Sequence, residues 1–309
     1  MGFSALGSLF LDSLNSFAIN FFQGEMVRKL FLVLPLLFFF SACSRSEQEP
    51  AKLEVLRVGV LPDESIESLK KRHQSLLDYL AMQLGIPVEL VIPEDYKDLI
   101  DLIGNSNIDI GYFGGVTFVQ ASEKHGVIPI VMRDIDKNFS SYFLSRDNSD
   151  GNKVEDFRNS TLSFGNQLST SGHFMPLHFL KERGIYPLEF FSKVMFSGSH
   201  ENSVYNLRDG KADLVAVNSR IVRSMIKDGR VSENEIHLIW ETPAYSDYVW
   251  AIRKELGNDL KDKITNAFLS LTLAEPSHVK ILENQHAEGF LPASKLDFID
   301  LGNIMKESL

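Results

Sequence analysis

Three hydroxyl residues in a row, Ser169, Thr170 and Ser171, precede Gly172 and an apolar run in the segment FGNQLSTSGHFMPLHFL, residues 164–180. The apolar run has helical spacing, so the hydroxyls stand at a helix start. A helix start exposes backbone N–H groups that lack intrahelical acceptors, and it carries a partial positive charge. One hydroxyl is enough for a cap. Three of them, with a glycine that lets a ligand reach the backbone, can also surround an oxyanion. The local pattern leaves both roles open. Two other reactive side chains stand out, His200 in GSHENS and Asp247 in YSDYV. Ser171, His200 and Asp247 would compose a nucleophilic triad, but the serine lacks the G-x-S-x-G elbow that such chemistry uses. The histidines show no H-E-x-x-H or other paired spacing, so neither a metal site nor a cofactor is expected.

The elements that must position these residues follow a regular alternation. LEVLRVGVLP, IPVELVIP, IDIGYFGG and IPIVMRDI read as strands, rich in β-branched residues. Between them, SIESLKKRHQSLLDYLAMQLG, DYKDLIDLIGNSN and VTFVQASEKHG read as helices closed by glycine. A second set of similar size follows residue 153. Its strands are expected in STLSF, FFSKVMFSG, ADLVAVNS and IHLIWET, and its helices in SGHFMPLHFLKERGI, SHENSVYNLRDG and RIVRSMIKDG. Repeated βαβ units predict two α/β lobes, each a mostly parallel sheet with helices on its faces. DYVWAIRKEL and LKDKITNAFLSLTL then supply a strand and an amphipathic helix, too little for a third lobe. They are expected to return to the first. The resulting division is 53–142 for lobe 1, 143–247 for lobe 2 and 248–309 for the return segment.

With the STSG segment in this setting, the chain resembles a family. LRVGVLPDES, LLDYLAMQLGIPVEL, EDYKDLIDLIGNSNIDIGYFGG, STSG, SGSHENSVYNLRDGKADLVAVNS and LPASKLDFIDL match, in order, segments of the phosphonate-type solute-binding proteins of ABC transporters. The resemblance covers nearly the whole chain after residue 52. It implies a type II periplasmic-binding-protein fold with a ligand cleft between the lobes. It further implies capture of a small phosphorus oxyanion (phosphate, phosphite or an alkylphosphonate) and delivery to ABC permease subunits, with no enzymatic step. A sensory module that reports the anion to a receptor is the alternative.

Carried over where residues match, the resemblance implies that Ser169, Thr170, Ser171 and Gly172 cradle the anion and that His200 contacts one of its oxygens. Tyr96 would reach it from the first lobe, and Tyr142 would do so near the first crossing between lobes. Asp247 would stand on the hinge side. Tyr112, at the end of its strand, is placed where such folds bind ligands. Relatives that hold an ammonium group carry an acid after the strand ADLVAVNS. Here that region contains Asn218 and Arg220, so a zwitterionic aminophosphonate is not the expected ligand.

The N-terminus carries its own signals. MVRKLFLVLPLLFFFSAC, residues 26–43, has a basic start, an apolar run and small residues before Cys43, the layout of a secretory signal. The apolar run is short for a bilayer span, which needs about 20 residues. Cys43 is the only cysteine, so no intramolecular disulfide can form. Its position resembles a bacterial lipobox, which implies lipidation at Cys43 and anchoring on the periplasmic side of a membrane. Residues 1–42 are read as an extension plus signal, and 43–52 as a polar tether. The formal net charge is −10, which disfavours nucleic acid as a partner yet permits a locally positive anion site. A monomer is expected.

Overall fold

The computed structural model describes residues 53–146 and 151–307. The signal segment, Cys43 and the tether lie outside these residues.

Lobe 1 is built on β1 (Leu56–Val60), β2 (Val88–Val91), β3 (Ile110–Phe113) and β4 (Ile128–Arg133). β1 pairs in parallel with both β2 and β3. The crossovers are α1 (Ile66–Leu84), α2 (Tyr96–Gly104) and α3 (Gly115–His125). Ser65 caps α1 by accepting the Ser68 N–H. Gly85 ends that helix with φ at 67°, a left-handed conformation that a Cβ would strain.

Lobe 2 holds β5 (Ser141–Arg146), β6 (Thr161–Phe164), β7 (Lys193–Phe196), β8 (Leu214–Asn218) and β9 (Ile236–Glu241). β6 runs parallel to β7 and β8, while β5 runs antiparallel to β8 and β9. Its helices are α4 (Met175–Glu182), α5 (His200–Arg208) and α6 (Ser219–Lys227).

The chain then returns. β10 (Val249–Ile252) inserts antiparallel between β3 and β4, and β11 (Phe290–Pro292) adds the edge. α7 (Asn258–Leu269), α8 (Pro276–Gln285) and α9 (Ile299–Glu307) complete the lobe. The two-lobe α/β plan is the one expected, with sheets of mixed direction. Strands joined by crossover helices are parallel. The strands entered directly from the other lobe, β5 and β10, run antiparallel to their neighbours because the chain arrives from the opposite side. Ser141 and Tyr142 already belong to the second sheet, so the first crossing spans residues 134–140 and the second 242–248.

Each lobe contains one tryptophan. Trp250 is fully buried in lobe 1 against Tyr112 and Phe268, with ring centroids 4.8 and 5.1 Å away. Trp240, near the end of β9, stacks on Phe143 at 5.4 Å, and the Arg183 guanidinium lies 4.5 Å from its ring centre.

Candidate functional site

Ser169, Thr170 and Ser171 are each at least 97% buried, and they have different partners. The chain leaves β6 through Gly165 and enters a π-helical turn, Thr170–Phe174, that runs directly into α4. Ser169 is the cap: its Oγ accepts the Gly172 N–H at 2.9 Å. Thr170 reaches across to lobe 1, where its Oγ1 accepts the Val116 N–H of α3 at 3.0 Å. Ser171 Oγ faces Asp247 and Tyr245 but completes no hydrogen bond. Capping therefore accounts for one hydroxyl of the three. Gly172 is required by space. A Cβ there would lie 2.8 Å from His200 Cε1 and 2.9 Å from Ser169 Oγ.

His200 opens α5, and its ring is fixed at both nitrogens. Nδ1 accepts the Asn218 backbone N–H at 3.1 Å, so the proton of the neutral ring sits on Nε2. Nε2 lies 3.3 Å from Ser169 Oγ. Burial, reinforced by the Arg72 charge and opposed by Asp63, lowers the imidazole pKa to about 4. The ring is thus a neutral donor at ordinary pH. Tyr96, at the start of α2, is 1% exposed, and burial pushes its phenol well above the usual value. It remains protonated, close to Ser169, with no hydrogen-bond partner.

Asp247 sits on the second crossing, between the starts of α3 and the π turn. Its Oδ1 accepts the Gly115 N–H at 2.9 Å, and Oδ2 has no partner. Burial raises its pKa to about 7, outweighing the Gly115 N–H and the Thr170 and Ser171 hydroxyls, which favour the carboxylate.

A buried network surrounds this set. Arg72 binds Asp63 at 2.8 Å, and burial works against its charge without preventing a raised pKa beside Asp63 and Glu64. Tyr248 donates to Asp63 Oδ2 at 2.8 Å and accepts from Asn218 Nδ2 at 3.0 Å. Ser141 Oγ donates to the Ser171 carbonyl at 2.7 Å and is itself bonded to the Tyr245 hydroxyl. Outside Tyr96 the cleft widens into a cavity of about 590 Å3 between the lobes, lined among others by Pro62, Glu64, Ile92, Asn166 and Ser199.

The sequence-derived residues thus divide. Tyr96, Ser169, Thr170, Ser171, Gly172, His200 and Asp247 gather at one place, with Asn218 directly behind His200. Tyr142 does not join them. Successive residues of a strand face opposite sides, so Ser141 points at the cradle and Tyr142 points away. The Tyr142 hydroxyl is bound by Arg223, and its ring packs with Val217 and Val222. Tyr112 lies one layer below the site, stacked on Tyr248 at 5.1 Å. Arg220 stands beside Arg223 on α6, where burial and that neighbour lower its pKa; its backbone N–H binds Asn218 Oδ1, and its Nε is buried without a hydrogen-bond partner among the described residues. The Asn218 Oδ1 caps α6 while its amide meets Tyr248. Asp63, Ser141, Tyr245 and Tyr248 were not singled out in the sequence. Only the dense tyrosine spacing of YSDYV hinted at the last two.

Residues 58–298 match the family described as the ABC transporter phosphonate, periplasmic substrate-binding protein. The chain belongs to this family. Its members are solute-binding transport proteins rather than enzymes, and the hydrolase reading of Ser171, His200 and Asp247 falls. The chain is 30% identical over 288 residues to a probable ABC transporter phosphite-binding protein of Prochlorococcus marinus, covering 89% of this chain and 96% of that one. It is 26% identical to a phosphate-import protein of Mycolicibacterium smegmatis, over 81% of each. The Prochlorococcus marinus protein solved with methylphosphonate superposes with a TM-score of 0.78 at 28% identity, over 82% of this chain and 98% of that one.

Proposed function

We propose that the cradle at Ser169–Gly172 captures a small tetrahedral phosphorus oxyanion, phosphate, phosphite or an alkylphosphonate, as the two lobes close, and presents it to a membrane permease. One observation carries this reading. Ser171 faces the Asp247 carboxylate and Tyr96 faces Ser169, yet the Ser171 Oγ, the Tyr96 hydroxyl and Asp247 Oδ2, all buried at a helix start, complete no hydrogen bond among the described residues. Buried polar groups are normally paired, and a tetrahedral anion supplies acceptors for the two hydroxyls. Asp247 then selects for protonation. With a pKa near 7 it either donates its own proton or accepts one from a P–OH group. Sulfate carries no proton at neutral pH and satisfies only the first arrangement. Asn218 provides an amide where an ammonium would need a carboxylate, which disfavours aminoethylphosphonate. Anchoring through lipid on Cys43, on the periplasmic side, and action as a monomer complete the proposal. Both rest on the sequence alone.

Calorimetric titration with phosphate, phosphite, methylphosphonate, aminoethylphosphonate and sulfate tests it. One of the first three should bind most tightly. Tightest binding of aminoethylphosphonate would overturn the assignment at Asn218, and failure of all phosphorus anions to bind would overturn the function itself.

A further inference from the structure

A second set of charged contacts joins the lobes away from the cradle. Arg230, beyond α6 in lobe 2, reaches Ser68 Oγ at 3.2 Å and Glu64 Oε1 at 3.6 Å, both in lobe 1. Ser68 donates at 2.9 Å to Glu201 of α5, which Arg230 also binds. Lys71 of α1 meets Asp228 of lobe 2 at 3.1 Å. All of these but Glu201 wall a cavity of about 120 Å3 between α1, α6 and α8. Among the described residues, none of their side chains hydrogen-bonds to the cradle.

We infer that Arg230 and Lys71, with Glu64, Ser68, Glu201 and Asp228, form a charged latch that sets how long the closed lobes hold their ligand. They are positioning residues, none of them hydrogen-bonded to the cradle among the described residues, with Glu64 and Glu201 also lining the cleft outside Tyr96. This rests on the proposed reading of the cleft as a capture site. The charges are distributed so that the latch can open. Glu64 keeps Arg72 of its own lobe at 3.0 Å, and Arg230 keeps Glu201 and Asp228 of its own lobe. Parting the lobes therefore strands no buried charge, which is the costly outcome for an ion pair. Lys71 loses its one ion-pair partner among the described residues, but its side chain is 67% exposed and water takes over. Closure adds bonds between groups already neutralised within each lobe. The latch is coupled to the cradle through α5. Glu201 follows His200, and the His200 N–H binds the Asp63 carbonyl across the cleft at 3.1 Å.

Contacts of this kind act on dissociation rates. In the full chain, with methylphosphonate as ligand, Lys71→Asp should raise the dissociation rate about fivefold and Arg230→Ala at least about tenfold. The exposed pair gives the decisive variant. Lys71→Asp combined with Asp228→Lys restores opposite charges and should return the rate to within about twofold of the parent chain. A merely structural role would not produce that recovery. Unchanged rates in both single variants, or a double variant as fast as Lys71→Asp alone, would overturn the latch. Should methylphosphonate not bind the parent chain, phosphate or phosphite takes its place, and only the failure of all three sinks the capture reading instead. The latch is then read in the free chain by small-angle X-ray scattering, where Arg230→Ala must increase the radius of gyration and an unchanged radius overturns it.

Discussion

Thr170 and Ser171 are neighbours with opposite commitments, one tied to lobe 1 and one without a partner. That difference decides what their removal does. Ser171→Ala deletes a donor to the anion and no bond of the protein, so affinity should fall about 10- to 150-fold at unchanged melting temperature, following about 1.5–3 kcal/mol for a hydrogen bond to a charged group. Calorimetry and thermal melts on the same variant check both halves. Asp247 gives a prediction in pH. An unfolded aspartate titrates near 3.8 and this one near 7. Between those values the folded chain holds a proton that the unfolded chain has released. The contribution of Asp247 to the stability of the free protein therefore falls as pH rises from about 4 to 7, and it is gone above 7, while His200 and His286, held near 4 by burial, contribute the opposite trend below about 6.5. The Asp247 contribution amounts to on the order of 4 kcal/mol at most. Asp247→Asn should remove this one component, so the difference in melting temperature between parent and variant should change with pH between 5 and 8, and the same pH dependence in both proteins would count against the buried carboxylate.

At the scale of elements, strand period explains what was legible and what was not. The alternation of strands with glycine-closed helices, readable in segments such as LRVGVLP and ADLVAVNS, gave both lobes and the return segment. STSG is legible as a candidate cradle because its chemistry is local: hydroxyls and a glycine at one helix start. FSSYFLSR is legible as a strand, but which of its side chains faces the site depends on strand register, and it is Ser141 rather than Tyr142 that bonds the Ser171 carbonyl. Parallel pairing was overestimated near the crossings because direction there depends on which lobe the chain has left. Asp63 was invisible for a related reason. Its role comes from Arg72, nine residues on, and from Tyr248 at the far end of the sequence. Tyr142→Phe is expected to leave anion affinity within about twofold, whereas Ser141→Ala frees the Ser171 carbonyl and should weaken binding about tenfold. Equal effects in titration would place the tyrosine back in the cleft.

For the whole molecule, the two covalent crossings at residues 134–140 and 242–248 confine relative motion to a hinge. The contacts between lobes include polar ones, Thr170 to Val116, Tyr248 to Asn218, and Arg230 to Ser68, beside an apolar patch where Met175 and Phe179 of lobe 2 join the core of lobe 1. Methylphosphonate should therefore lower the radius of gyration of the free chain in solution scattering, with no change in helical circular dichroism. A ligand that leaves the radius unaltered would mean that capture does not proceed by closure.

The placement of the two tryptophans has a practical corollary. Trp240 ends β9 at the point where the backbone begins to bend, half-exposed and sandwiched between Phe143 and a guanidinium. Trp250 begins the other side of the same bend, sealed from solvent. Flexing of the intervening segment on capture should shift the emission of Trp240 and leave that of Trp250 constant, which would give the protein a label-free optical gauge with its own internal standard.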